Sequence, residues 1–195
     1  MPSRPEPTCE TLVPVSIEVV AYDPSWQDRF EKVAAALSGA LADGPAASVE
    51  HVGSTSVPGL AAKPILDIDV IVAPEDVPAA VKALVRIGYR HRGDLGVAGR
   101  EAFFAPDEDP RRHVYVCAAG TLNVRNHLAV REVLRRRDDL RDEYAAVKLA
   151  LAADPDMDID TYIARKSDVL QKILAASDLT DAERRQILSL NDPSR

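Results

Sequence analysis

The apolar positions of this 195-residue chain follow strand and helix periods in turn through its first two thirds, and helical spacing alone afterwards. "SIEVVAY" (16–22) and "ASVEHV" (47–52) have the short β-branched character of strands. Between them, "DPSWQDRFEKVAAALSGALADG" sets Trp26, Phe30, Val33, Leu37 and Leu41 at helical spacing, predicting a helix with one apolar face. Ser25 is its expected N-cap, with Asp28 three residues on, and Gly44-Pro45 ends it. "PEDVPAAVKALVRIG" (74–88) predicts a second amphipathic helix. "EAFFA" and "RHVYVCA" predict two strands of a hairpin joined by the acidic loop "PDEDPR". From Asn126 onward three helices are expected, over 126–137, 138–153 and 158–176. A short last helix follows over 180–190, with Thr180 and Glu183 forming a capping box. The expected organisation is a disordered Pro-rich leader (1–14), an α/β core (15–125), C-terminal helices packed on it (126–176) and a tail (177–195). The fold class is α+β.

One strand breaks its own pattern. In "EHVGSTSVPGLAAKPILDIDVIV" (50–72), alternation sends Leu66, Ile68, Val70 and Val72 to the core, and Ile65, Asp67, Asp69 and Ile71 to the other face. The two carboxylates then lie about 6–7 Å apart along the strand. Two like charges this close are costly unless a cation compensates them. A hard divalent ion is the natural partner, and Mg²⁺ takes one or two carboxylates together with phosphate oxygens. Upstream, the turn Gly53-Ser54-Thr55-Ser56 offers backbone N–H groups and hydroxyls suited to phosphate, and Lys63 offers a positive charge. A metal–phosphate site accounts for this combination better than solvated edge chemistry does.

Composition narrows the class of partner. With 46% hydrophobic and 28% charged residues the chain is an ordinary globular one, but its net charge of −7 argues against general nucleic-acid binding. A small phosphorylated ligand held by local cations remains compatible. Cys9 lies in the leader and Cys117 ends an apolar strand, so no disulfide between them is expected. No apolar run is long enough to span a bilayer and the N-terminus has no signal-like apolar region, so a cytoplasmic protein without membrane contact is expected.

The order strand, Gly-Ser, strand with Asp-X-Asp resembles the nucleotidyltransferase superfamily, the DNA polymerase β-like fold. The full 50–72 segment resembles the signature of the GrpB family. Further segments resemble the same family: "YDPSW" (22–26), "GYRHRGDLGVAGREAFF" (88–104) with Arg100, "HLAVREVLR" (127–135), "YAAVKLALA" (144–152) and "DIDTYIARKSDVL" (158–170). The likeness covers about residues 16–176. It implies a nucleotidyltransferase-like mixed sheet flanked by helices, with a helical C-terminal part. It also implies similarity to a domain attached to dephospho-CoA kinase in some bacteria, although no Walker A pattern occurs here. An active member of the superfamily carries a third carboxylate on a neighbouring strand. Here that strand, "RHVYVC", offers His113 and Tyr115, where the family usually shows His-X-His. His113 is either a metal or phosphate ligand or a plain surface histidine.

Two Tyr-X-X-X-Lys pairs, Tyr144/Lys148 and Tyr162/Lys166, each share a helix face. Lys166 falls in the apolar row Ile159, Ile163, Leu170 and Ile173. It either snorkels to water or converges with Lys148 and Arg100 on an anionic ligand. Two functions follow. The first is Mg²⁺- or Mn²⁺-dependent transfer of a nucleoside monophosphate from a nucleoside triphosphate to an unidentified small acceptor. Asp67 and Asp69 would hold the metal, Gly53 and Ser54 would cradle the phosphates, and Lys63 and Arg100 would neutralise developing charge. The second is a nucleotide- and metal-binding accessory module without chemistry. The sequence leaves the oligomeric state open, a homodimer included.

Overall fold

The computed structural model describes residues 18–154, 157 and 159–190; the expected leader lies outside them. The elements run α1 (Ser25–Leu41), β1 (Ala47–Val52), β2 (Leu66–Val72), α2 (Val77–Arg86), β3 (Arg90–His91), β4 (Arg100–Phe104), β5 (Arg112–Ala118), α3 (Leu122–Arg136), α4 (Asp138–Ala152), α5 (Ile159–Ala175) and α6 (Asp181–Leu190). The five strands form one sheet in the order β1-β2-β5-β4-β3. Only β2 and β5 run parallel; the other pairs are antiparallel, so the sheet is mixed and the fold α+β.

The alternation of β2 sets the two faces apart. Leu66, Ile68, Val70 and Val72 are buried against α1 and α2 with Trp26, Leu37, Leu84, Val114 and Val116. Burying each such large aliphatic side chain is worth about 1.5–3 kcal/mol, so this face anchors the strand that carries the aspartates. The other face is polar and is crossed by α3. A second cluster joins Val57 and Leu60, which follow β1, to Val133, Leu140, Tyr144, Val169 and Ile173 of α3, α4 and α5, and so fastens the C-terminal helices to the segment that joins β1 to β2.

Three local expectations need correction. Ser25 does not cap α1; Asp23 accepts hydrogen bonds from the Ser25 N–H (2.9 Å) and hydroxyl (2.8 Å), so the capping oxygen comes from two residues earlier. Within the described part of 16–22, Val20 forms only an isolated bridge to Ala62. Helix α3 begins at Leu122, four residues before the expected Asn126. The α6 capping box forms as expected: the Thr180 N–H donates to Glu183 Oε2 (2.8 Å) and the Glu183 N–H to Thr180 Oγ1 (3.3 Å).

Candidate functional site: a carboxylate pair beneath a polar helix and buried lysines

Asp67 and Asp69 share the polar face of β2, in different environments. The Asp67 side chain is 36% exposed, and its Oδ1 lies 3.0 Å from His113 Nδ1 on the paired position of β5. Asp69 is fully buried; its Oδ2 lies 2.7 Å from His127 Nδ1, while its Oδ1 is buried without a hydrogen-bond partner. Burial works against protonation of His127, but the Asp69 hydrogen bond and charge outweigh it and raise its pKa. Tyr115, paired with Asp69 on β5, is raised by burial and by the Asp67 carboxylate. Cys117 is free and buried; its thiol is pushed up by burial and by the neighbouring Asp69 charge.

The turn after β1 approaches this pair closely. Gly53 has φ 70° and ψ −173°, a region that side chains rarely adopt. A Cβ there would collide with the Asp67 carboxylate and lie 2.9 Å from Asp67 Cβ and Cγ. Glycine is thus required both by the backbone angle and by the contact. The turn continues as a single 3₁₀ turn over Ser54–Ser56 rather than as a long helix. The Thr55 and Ser56 hydroxyls, expected at the phosphates, are used inside the turn. Thr55 Oγ1 meets His51 Nε2 (3.0 Å) and donates to the Ile65 carbonyl (3.3 Å), while Ser56 Oγ donates to the Gly53 carbonyl (2.6 Å). His51 itself is stacked on Phe30, and burial lowers its pKa to about 4.

Lysines close the other side. Lys148, only 2% exposed, donates to Ser54 Oγ (3.0 Å), and its Nζ lies 4.4 Å from the centroid of the Tyr144 ring one helical turn away. Burial, then the charge of Lys166, lowers its pKa to about 7. Lys166 is also lowered by burial and by the charge of Lys63, against which the Asp67 carboxylate acts. Lys63 is half-buried and lowered by burial. The side chain of Tyr162 lies outside the described residues. Arg100 lies over Tyr115, with its guanidinium carbon 4.7 Å from the centroid of that ring.

Helix α3 supplies what the sequence reading missed. Asn123, His127, Arg131 and Arg135 recur every four residues and form one stripe across the polar sheet face. Asn123 reaches Cys117 (3.7 Å), His127 reaches Asp69, Arg131 donates to Glu50 (2.8 Å) and to the His51 carbonyl (2.9 Å), and Arg135 donates to the Ser56 carbonyl (2.8 Å). Glu50, directly opposite Asp69 on β1, is a third acid on this face. Burial tends to raise it, but hydrogen bonds from Ser48 and Arg131 prevail and hold it low. Its carboxylate is therefore already engaged. Among the described residues no group of three or more His, Cys, Asp or Glu side chains forms a metal cluster. The donor set still suits a hard cation: two carboxylates share one face, and the buried Asp69 Oδ1 lacks a partner.

A five-stranded mixed sheet with an Asp-X-Asp strand beside a Gly-Ser turn defines a protein of nucleotidyltransferase-like fold. The GLD-2/RNP-8 complex shares that fold, with a TM-score of 0.53 and 14% identity over 90% of this chain and 70% of that one. The family model described as GrpB protein matches residues 16–176, and the chain belongs to the GrpB family. The crystal structure of GrpB from Enterococcus faecalis is similar, with a TM-score of 0.68 and 37% identity over 81% of this chain and 98% of that one. A UPF0157 protein of Halalkalibacterium halodurans is 36% identical over 85% of this chain and 84% of its own. A dephospho-CoA kinase of Mycolicibacterium paratuberculosis is 28% identical over 77% of this chain but only 43% of its own length. No described helix is long and apolar enough to cross a membrane.

Proposed function

We propose that the protein binds a nucleoside triphosphate with Mg²⁺ or Mn²⁺ and transfers the nucleoside monophosphate to a small acceptor. The observation that carries this reading is the position of Lys148, which is 2% exposed and donates to Ser54 Oγ in the Gly53-Ser54 turn that lies against Asp67. Burying the Lys148 ammonium, with the charge of Lys166 acting on it, is unfavourable in the empty protein. A bound polyphosphate offsets that cost, because its negative charge adds charge-assisted hydrogen bonds at Lys148 beyond the one to Ser54.

Asp67 and Asp69 would hold the metal, which supplies charge neutralisation at the phosphates. The Gly53-Ser54 turn sets its backbone against the triphosphate, and the absence of a Cβ lets that backbone lie against Asp67. Lys148, Lys166 and Lys63 hold the β- and γ-phosphates and stabilise the charge that grows on pyrophosphate. His113 and His127 orient the two carboxylates. In the reaction the acceptor hydroxyl oxygen bonds to the α-phosphorus as the bond from that phosphorus to the bridging oxygen breaks. Pyrophosphate leaves with the electron pair, and the hydroxyl proton is released to water.

A second reading is supported by Glu50. With that carboxylate held by Ser48 and Arg131, and with His113 and Tyr115 on the neighbouring strand, a third acidic ligand is not at hand among the described residues. In this reading the fold keeps the nucleotide pocket as an accessory module, as its likeness to part of a dephospho-CoA kinase suggests.

A thermal-shift panel of four nucleoside triphosphates, each with and without Mg²⁺, tests the shared premise. At a concentration about 100-fold above Kd, binding stabilises by about 2.7 kcal/mol, which for a chain of this size raises the melting temperature by about 5–10 °C. Absence of any shift at millimolar nucleotide would remove both readings. A shift without pyrophosphate release in the presence of a metabolite extract would favour the module.

A further inference from the structure

The carboxylate pair has two sides. Asp67 faces the Gly53 turn and the lysines. Asp69 faces His127, and beyond His127 lies a cavity of about 510 Å³ between the 96–98 loop, the first turns of α3, and α6. Its polar lining comes from Arg100, Asn123, Asn126, His127 and Gln186, with Ile187 contributing apolar surface. No carboxylate is among the residues lining it, and His127 supplies their only aromatic ring. A cavity lined this way has no ring dedicated to stacking a nucleobase and nothing to pair a cationic ligand. It presents an arginine and three side-chain amides instead.

Arg100 is prepared for an anion. Stacking on Tyr115 fixes its plane, and its Nε is buried without an acceptor. Gly99, at φ 75°, presses the preceding loop onto α3, where a Cβ would lie 2.9 Å from Thr121 Cγ2, so this wall is set firmly against the helix. The opposite wall belongs to α6, which lies outside residues 16–176 matched by the family model. It is fastened through Leu179 and Ile187 to Leu174 and Leu122, and by the ion pair of Glu183 with Arg125.

We propose that this cavity is the acceptor subsite and that the acceptor is a small molecule carrying a carboxylate. Arg100 takes the carboxylate in charge-assisted hydrogen bonds, and Asn123, Asn126 and Gln186 hold its polar flank. The assignment as acceptor rests on the nucleotidyl-transfer reading, whereas binding of a carboxylate in the cavity does not. Gln186 and Ile187 place α6 in the wall that shapes acceptor choice.

The test uses the 195-residue chain, with the side-chain NH₂ resonances of Asn123, Asn126 and Gln186 followed by ¹⁵N NMR. The probes are glutarate, 1,5-diaminopentane of the same length and opposite charge, and inorganic phosphate. Glutarate is expected to shift these resonances saturably, diaminopentane not at all, and phosphate at least tenfold more weakly. Arg100→Leu is expected to weaken glutarate binding at least tenfold. Gln186→Ala, at an exposed position whose loss leaves the fold intact, is expected to weaken it severalfold. Asp67→Asn should keep the glutarate response while losing that to Mg-nucleotide, so the two readings fail separately. No glutarate shift, an equal shift from diaminopentane or phosphate, or unchanged affinity in a folded Gln186→Ala protein would overturn the proposal.

Discussion

Replacing Lys148 by Met should make the protein more stable and less able to bind nucleotide at once. The side chain is 2% exposed, and its pKa is lowered from 10.5 to about 7 by burial and by Lys166. A depression of that size corresponds to a ceiling of about 4–5 kcal/mol for a buried ammonium carried at neutral pH. Methionine keeps the stem and removes the charge, but it forfeits the hydrogen bond to Ser54 and the ammonium–ring contact with Tyr144, together about 1–2 kcal/mol. The expected net gain at pH 7 is about 2–4 kcal/mol, or about 5–15 °C in melting temperature. The sign with pH follows from the lowered pKa. Between about 7 and 10.5 the unfolded chain binds a proton that the native chain does not, so wild-type stability rises with pH across that window. The advantage of Lys148→Met should therefore shrink as pH climbs from 7 towards 10.5. Urea unfolding followed by circular dichroism at pH 7, 8.5 and 10 measures it. A variant no more stable than wild type at pH 7, with a difference that does not change with pH, would refute the burial argument.

Other outcomes follow from the same geometry. Gly53→Ala should lose about 3 kcal/mol or more, about 1–3 of it from the glycine-only backbone angle and the rest from collision with Asp67. In a chemical-denaturation cycle the added change Asp67→Gly should restore only the collision part. His51 is neutral in the folded protein with a pKa of about 4, so stability should fall as pH drops from about 6.5 towards 4. The ceiling is about 3 kcal/mol, nearer half that after solvent screening. His51→Gln should flatten that acid slope in melting curves while keeping a partner for Thr55. Thr180→Ala should cost about 1 kcal/mol by removing half of the α6 capping box, visible as faster amide exchange in α6 with little change elsewhere.

The sequence carried the strand with Asp67 and Asp69 plainly, because period-two alternation is local and both faces of β2 obey it. The helices were legible for the same reason, as were both ends of the α6 capping box. What escaped was whatever depends on chain segments meeting at long range. His127 meets Asp69 across 58 residues, and nothing at either position alone announces it. Its signal was present in the four-residue spacing of Asn123, His127, Arg131 and Arg135, a polar stripe on a helix that packs against a polar sheet face. Placing the start of α3 four residues late hid the first member of that stripe. Glu50 escaped because the antiparallel register that sets it opposite Asp69 is fixed across the long 53–65 connection and not by the pattern of β1. Lys166 was ambiguous in sequence, since a lysine in an apolar row is equally compatible with escape to water. The charges of Lys63 and Asp67 act on it across a separation in sequence that no local pattern reports.

The central claim is that Asp67, Asp69 and the buried lysines form a single metal–nucleotide site. Electron paramagnetic resonance of Mn²⁺ tests it without assuming an activity, because the six-line signal of the free aqueous ion fades as the ion is bound. Titrated with Mn²⁺ and a non-hydrolysable nucleoside triphosphate, the wild-type protein should remove about one Mn²⁺ beyond that taken up by the nucleotide alone, or bind the Mn²⁺–nucleotide complex as a unit. Asp67→Asn with Asp69→Asn should abolish this, and Lys148→Met should weaken it at least tenfold while leaving the chain folded. A wild-type titration indistinguishable from nucleotide alone, or the same uptake by the double Asn variant, would contradict the account.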